Sequence, residues 1–213
     1  MKNIVFYLSF TLFFIPYTFG QTTGELYNLV RSETIEEKEA ALAFIEDAIN
    51  RGDTGTEIVQ ALEYLSMEGI GRNIIRDSTN GRINNFYGIR QQSAQYLGLI
   101  GTEEAYNLLI KILKSEDEPM VIQEAIKSLG DIGFYGNGES MDAIAYAVSY
   151  FRYSDLVAFR GIEAFGNIAR KNNVYSHPEA LNTLSRIAQS YNYIWAIINR
   201  AKEELDFWLS QQK

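Results

Sequence analysis

Cysteine is absent from the 213 residues, and histidine occurs once, as His177. The first absence excludes disulfides, thiol catalysis, cysteine-ligated zinc and anchoring through a lipidated cysteine. The second puts an all-protein histidine metal site out of reach. Basic residues are scarce beside acidic ones, 19 against 27, for a formal net charge of −8. Nucleic acid is therefore not the expected partner, because phosphate binding needs a basic footprint. Charge alone does not dock such a chain on an anionic membrane. No stretch alternates apolar and polar residues as a half-buried strand would. Gly-rich phosphate loops, a Gly-x-Ser-x-Gly elbow and an Asp-x-Asp-x-Asp-Gly calcium loop are all missing. The chain is expected to hold no cofactor and no metal, and to offer no catalytic residue.

Met1 to Asn3 makes a short positive start, and an apolar run follows from Ile4 to Phe19. Thr18 and Gly20 set small residues where a signal peptidase inspects the chain, so residues 1–20 read as a signal peptide cleaved before Gln21. The rival, an uncleaved anchor, is disfavoured by the short run and by Pro16 within it. A periplasmic or secreted protein is expected, with no stable membrane span after cleavage.

What the chain does have is repetition. Gln95-Tyr-Leu-Gly-Leu-Ile-Gly101 returns as Lys127-Ser-Leu-Gly-Asp-Ile-Gly133 and, more loosely, as Glu163-Ala-Phe-Gly-Asn-Ile-Ala169, so that Leu97, Leu129 and Phe165 stand 32 and then 36 residues apart. Such a period marks stacked units that bury their apolar faces only against neighbours. Thr34 with Glu37 predicts a helix start. Ala41, Leu42, Ile45, Ala48 and Ile49 then keep helical spacing, and Thr56 opens a second helix carrying Ile58, Leu62 and Leu65. Residues 21–68 thus read as an N-terminal helical pair, and 69–88 as an irregular loop rich in Arg and Asn. Residues 89–213 read as regular repeats ending in a polar cap helix. Along the second helices, Ala105, Leu108, Leu109 and Ile112 are matched to Met141, Ile144, Ala145 and Val148, and to Ala180, Leu184 and Ile187.

The phrase Leu-Gly-x-Ile-Gly, followed by a turn and a helix beginning Thr102-Glu-Glu-Ala105, resembles the HEAT-like repeats of the phycobilisome-lyase type, armadillo-like in architecture. The resemblance implies an all-α fold, an α-solenoid of about four HEAT-like helix pairs plus a capping C-terminal helix, used mainly to hold proteins. It also implies that the second helices line the concave side. Iron-binding relatives use His-Glu pairs, which a single His177 does not supply.

Several residues invite a functional reading beside a plainer one. Gly98, Gly130 and Gly166 sit inside helices, where a neighbouring helix is expected to pass too close for a Cβ. Arg72, Arg76 and Arg82, followed by Phe86 and Tyr87, offer either a clamp for an acidic partner or arginines that bridge carboxylates and hold the loop down. Ile110, Tyr146 and Tyr150 are placed on a ridge of the concave face, where tyrosine supplies rigid amphipathic contact area. Glu116, Asp117 and Glu118 read as a solvated turn, and His177 as an exposed turn residue. The function that best fits is an exported, non-catalytic scaffold of the cell envelope, binding a protein, one with an acidic patch if the arginines take part. The alternative is an accessory, chaperone-like subunit that positions a substrate for a separate enzyme.

Overall fold

The glycine-containing phrase does three jobs in its two strict copies, and a computed structural model, which describes residues 22–71 and 73–212, shows all three. Leu97 and Leu129 are buried anchors. Gly98 and Gly130 are points of close approach, and Gly101 and Gly133 end their helices in the left-handed conformation, at φ 63° and 70°. There the N–H of Gly101 donates to the Leu97 carbonyl at 3.0 Å, and that of Gly133 to the Leu129 carbonyl at 2.8 Å, closing groups that a helix end leaves open. In the third copy Ala169 replaces the terminal glycine. That helix runs on to Asn172 and stops at Asn173, which takes the left-handed conformation instead.

Ten α-helices are present among the described residues: α1 (Thr22–Arg31), α2 (Ile35–Asn50), α3 (Thr56–Met67), α4 (Tyr87–Ile100), α5 (Glu103–Ser115), α6 (Pro119–Ile132), α7 (Glu139–Tyr150), α8 (Asp155–Asn172), α9 (Pro178–Ala188) and α10 (Trp195–Gln211). They stack in two layers. Helices α2, α4, α6, α8 and α10 follow one another in the first, and α1, α3, α5, α7 and α9 in the second, with the most extensive packing between α4, α6 and α8. No strand occurs among these residues; one isolated antiparallel bridge joins Arg76 and Arg82. The fold is an all-α solenoid of four helix pairs, flanked by α1 and closed by α10.

The sequence predicts two helices over 21–68, and three are there. The additional one is α1, which buries Leu26 and Val30, one turn apart. The predicted helix start at Thr34 is formed on one side: the Thr34 hydroxyl accepts from the Glu37 N–H at 3.4 Å, while the Thr34 N–H donates to Ser32 at 3.1 Å rather than to Glu37. At the other end Trp208 is fully buried against Tyr175, and its indole N–H donates to Glu204 at 2.9 Å.

The close approaches have different causes. A Cβ on Gly98 would lie 2.6 Å from the Ser128 Cβ, and one on Gly130 would lie 2.8 Å from the Ala164 Cα, so neighbouring first-layer helices meet almost backbone to backbone. Ser128 uses that contact to donate to the Ala94 carbonyl at 3.0 Å. At Gly166 the space belongs to charged side chains, Arg170 and the buried Glu204, which pair at 2.8 Å.

Candidate functional site

The segment between α3 and α4 is a small folded hairpin. Ile83 N–H donates to Ile75 at 3.0 Å and Asp77 N–H to Gly81 at 2.9 Å. At its tip the Asp77 carboxylate accepts from the Thr79 and Gly81 amides, each at 2.8 Å, and from the Thr79 hydroxyl at 2.7 Å, which holds its pKa below the ordinary value. Asn84, buried, ties the two limbs: its amide accepts from Ile75 N–H at 2.9 Å and donates to the Asn73 carbonyl at 2.8 Å.

The arginines of this region mostly serve it. Arg82 makes a forked contact with Asp117, at 2.6 and 3.3 Å, which raises the arginine's pKa and holds the Asp117 carboxyl below its usual range. Arg90 is wholly buried and pairs with an equally buried Glu116 at 2.7 and 3.1 Å, with further donations to Asn85 and the Glu68 carbonyl. Glu116 also accepts the Asp117 and Glu118 amides, so the acidic turn is solvated only in part: its first carboxylate is a core residue. Arg76 is exposed and donates to the Asn80 carbonyl at the hairpin tip. Arg72 lies outside the described residues. Phe86 is half-buried against the core, and Tyr87, at the start of α4, is exposed.

On the second helices the sequence match is off by one residue, which is a rotation of about 100°. Ala105, Tyr106, Leu109, Ile110, Ile112 and Leu113 are buried on α5, and Ser140, Met141, Ala143, Ile144, Ala145, Ala147 and Val148 on α7, with Ala143 matching the half-buried Leu108. These sets superpose with Ile110 on Ala145, so Ile110 is core, 4% exposed, and does not join the ridge. The residue equivalent to Tyr146 is Lys111. The same superposition brings Tyr64 of α3 and Arg186 of α9 to that position, and all four side chains are exposed. Tyr146 and Tyr150 are 55% and 66% exposed and stack on each other with ring centroids 6.3 Å apart.

At the N-terminal end this row opens on a cavity of about 710 Å³ between α1, α3, the hairpin base and Lys111. Leu26, Val30, Ala61, Met67 and Ile74 give it apolar walls, and Tyr27 and Tyr64 its aromatic rim. The Arg31 guanidinium lies over both rings, 4.4 Å from the Tyr27 centroid and 5.3 Å from that of Tyr64. Buried Lys38 backs the rim, ion-paired to Glu68 at 2.5 Å and donating to the Val30 carbonyl at 3.1 Å. The volume falls in the range usual for small-molecule sites. Sequence reasoning misses the cavity because it joins segments far apart, one of them the additional helix α1. His177, expected in the open, is buried edge-on to Tyr135, with its Nε2 3.5 Å from Asp142.

Among the described residues no three of His, Cys, Asp and Glu are grouped to hold a metal ion, and no helix is long and apolar enough to cross a membrane. No curated protein matches the chain. Residues 84–155 match the family model described as HEAT repeats, a span that holds α4 to α7 and both strict copies of the glycine phrase. Such repeats suggest a protein-interaction scaffold and are typically non-catalytic. Residues 84–155 thus carry HEAT repeats, and the two-layer packing of the same helical architecture continues on either side of the match.

Proposed function

We propose that the chain is an exported, non-catalytic scaffold of the cell envelope, cleaved after Gly20, that holds a protein along the exposed edge of its second helices. The observation that carries this reading is the row Tyr64, Lys111, Tyr146 and Arg186, one exposed side chain from each successive unit at the same helical position. A solenoid recognises partners by such equivalent projections, and rigid aromatic anchors supply most of the affinity. Lys111 is already paired with Glu63 at 2.9 Å, and it is Arg186 in the row and Arg31 at the cavity rim that favour a partner with an acidic patch. Tyr150 extends the row, and two further exposed residues are Arg76 in the hairpin and Tyr87 at the start of α4.

Capture from envelope extract on immobilised mature chain tests this. Tyr146→Ala and Tyr64→Ala are expected to weaken retention of the partner roughly tenfold or more, the scale of aromatic hot spots, with melting temperatures close to wild type. Unchanged retention in both variants overturns the reading. A second reading, an accessory subunit that positions a substrate for a separate enzyme, is favoured by the cavity. It predicts that the captured protein is an enzyme and that its turnover, rather than its retention, falls on Tyr27→Ala.

A further inference from the structure

The opposite end of the solenoid carries apolar groups that the row on the second helices does not use. Two neighbouring turns lie there: the α7–α8 turn with Tyr153, followed by Leu156 in the first turn of α8, and the α9–α10 turn with Tyr191 and Ile194, followed by Trp195 at the start of α10. All five are exposed, Tyr191 completely and Trp195 by 77%. The turns are fastened together, since the Ile194 N–H donates to the Asp155 carboxylate at 3.0 Å. That bond engages the acidic group beside the patch. Arg152 lies over the Tyr153 ring, 5.0 Å from its centroid, and among the described residues it has no carboxylate within ion-pair distance.

We infer that these two turn tips form a peripheral docking site for a lipid surface. Projecting tips suit insertion between headgroups, whereas a protein hot spot is desolvated inside a complementary pocket. Tryptophan and tyrosine around isoleucine and leucine match the boundary between headgroup and acyl chain, with an apolar body and a polar end on the same ring. An arginine whose guanidinium lies over a tip ring, with no carboxylate within ion-pair distance among the described residues, is complementary to the phosphates of anionic lipid even on a chain of net charge −8. Insertion is driven by the aromatic and aliphatic groups, and Arg152 sets the preference for anionic lipid.

Tryptophan emission reads this site directly. The chain has two tryptophans, and Trp208 is fully buried, so a lipid-dependent change reports Trp195. The full chain is mixed with vesicles of phosphatidylcholine, alone or with an equal part of phosphatidylglycerol, each also prepared with brominated acyl chains. The expected result is a blue shift and quenching by brominated lipid, stronger with phosphatidylglycerol. Ile194→Ser combined with Tyr191→Ser should weaken partitioning roughly tenfold or more, and Arg152→Gln should remove the phosphatidylglycerol preference. The apolar run at 4–19 contains no tryptophan, so binding through that run alone leaves Trp195 unquenched and overturns the inference. A blue shift that follows protein concentration without lipid overturns it too, in favour of a contact between copies of the chain. Tyr146→Ala should leave the lipid signal unchanged, which keeps this outcome separate from the proposed protein partner.

Discussion

Gly130 gives up about 1 kcal/mol of helix propensity relative to alanine, and the reason lies in the neighbouring helix. A Cβ there would sit 2.8 Å from the Ala164 Cα and 2.9 Å from its Cβ, neither of which moves unless α6 and α8 part. Gly130→Ala should therefore destabilise by about 1–3 kcal/mol through overpacking, despite the better propensity. Gly88, in the first turn of α4, has nothing within 4 Å of the place a Cβ would take, so Gly88→Ala should be neutral or stabilise by up to about 1 kcal/mol. Urea midpoints of the two variants check both signs. The buried pair Arg90–Glu116 makes a second residue-level test. Glu116→Gln keeps an acceptor for the Asp117 and Glu118 amides but leaves the arginine charge uncompensated, at a cost of about 3–5 kcal/mol. Arg90→Met in the Glu116→Gln background should recover part of that loss, measured as a double-mutant cycle; two additive losses would mean the pair is not coupled.

Helix ends and helix faces are not equally legible in the sequence. The terminal glycines at 101 and 133 announce their stops, because a left-handed cap costs glycine nothing sterically. Asn173 does the same job for α8 with a residue that tolerates the conformation less well, which hides the longer helix. Faces are harder, since α5 has apolar residues at 108, 109, 110, 112 and 113, and several registers satisfy the pattern. Only packing against the first-layer helices α4 and α6 and the neighbours α3 and α7 makes Ile110 buried and Lys111 exposed. The hairpin reads as irregular because its order comes from side-chain amides and carboxylates, chiefly Asp77 and Asn84, which carry no period. Its tether to the next unit titrates. The folded Asp117 carboxyl is held by Arg82 below its ordinary value of 3.8, so its contribution is fully present above that value and is lost as pH falls through the lower folded one. Both side chains are partly exposed, so Asp117→Asn should cost no more than about 1 kcal/mol at neutral pH. Wild type and variant should converge in urea midpoint at lower pH; a difference that persists there would assign the effect to something other than this ion pair.

As a whole the molecule is a short one-dimensional array, with each layer touching mainly its sequence neighbours. The repeat phrase is enough to read that architecture, because it encodes anchor, contact and stop in one string. The cavity and the buried ion pairs are not readable from it, since they depend on which distant segments the stack brings side by side. Leu129, buried at the centre of that array, makes the packing testable: Leu129→Ala should cost about 2–5 kcal/mol, by denaturant titration. The central claim is that successive units present one residue each to a single partner. Photo-crosslinking in cells from positions 64, 111, 146 and 186, with Leu99 on the exposed side of α4 as the control, measures it most directly. Adducts to the same protein are expected from all four positions and none from position 99. Adducts to that protein from position 99, or none from the row, would contradict it.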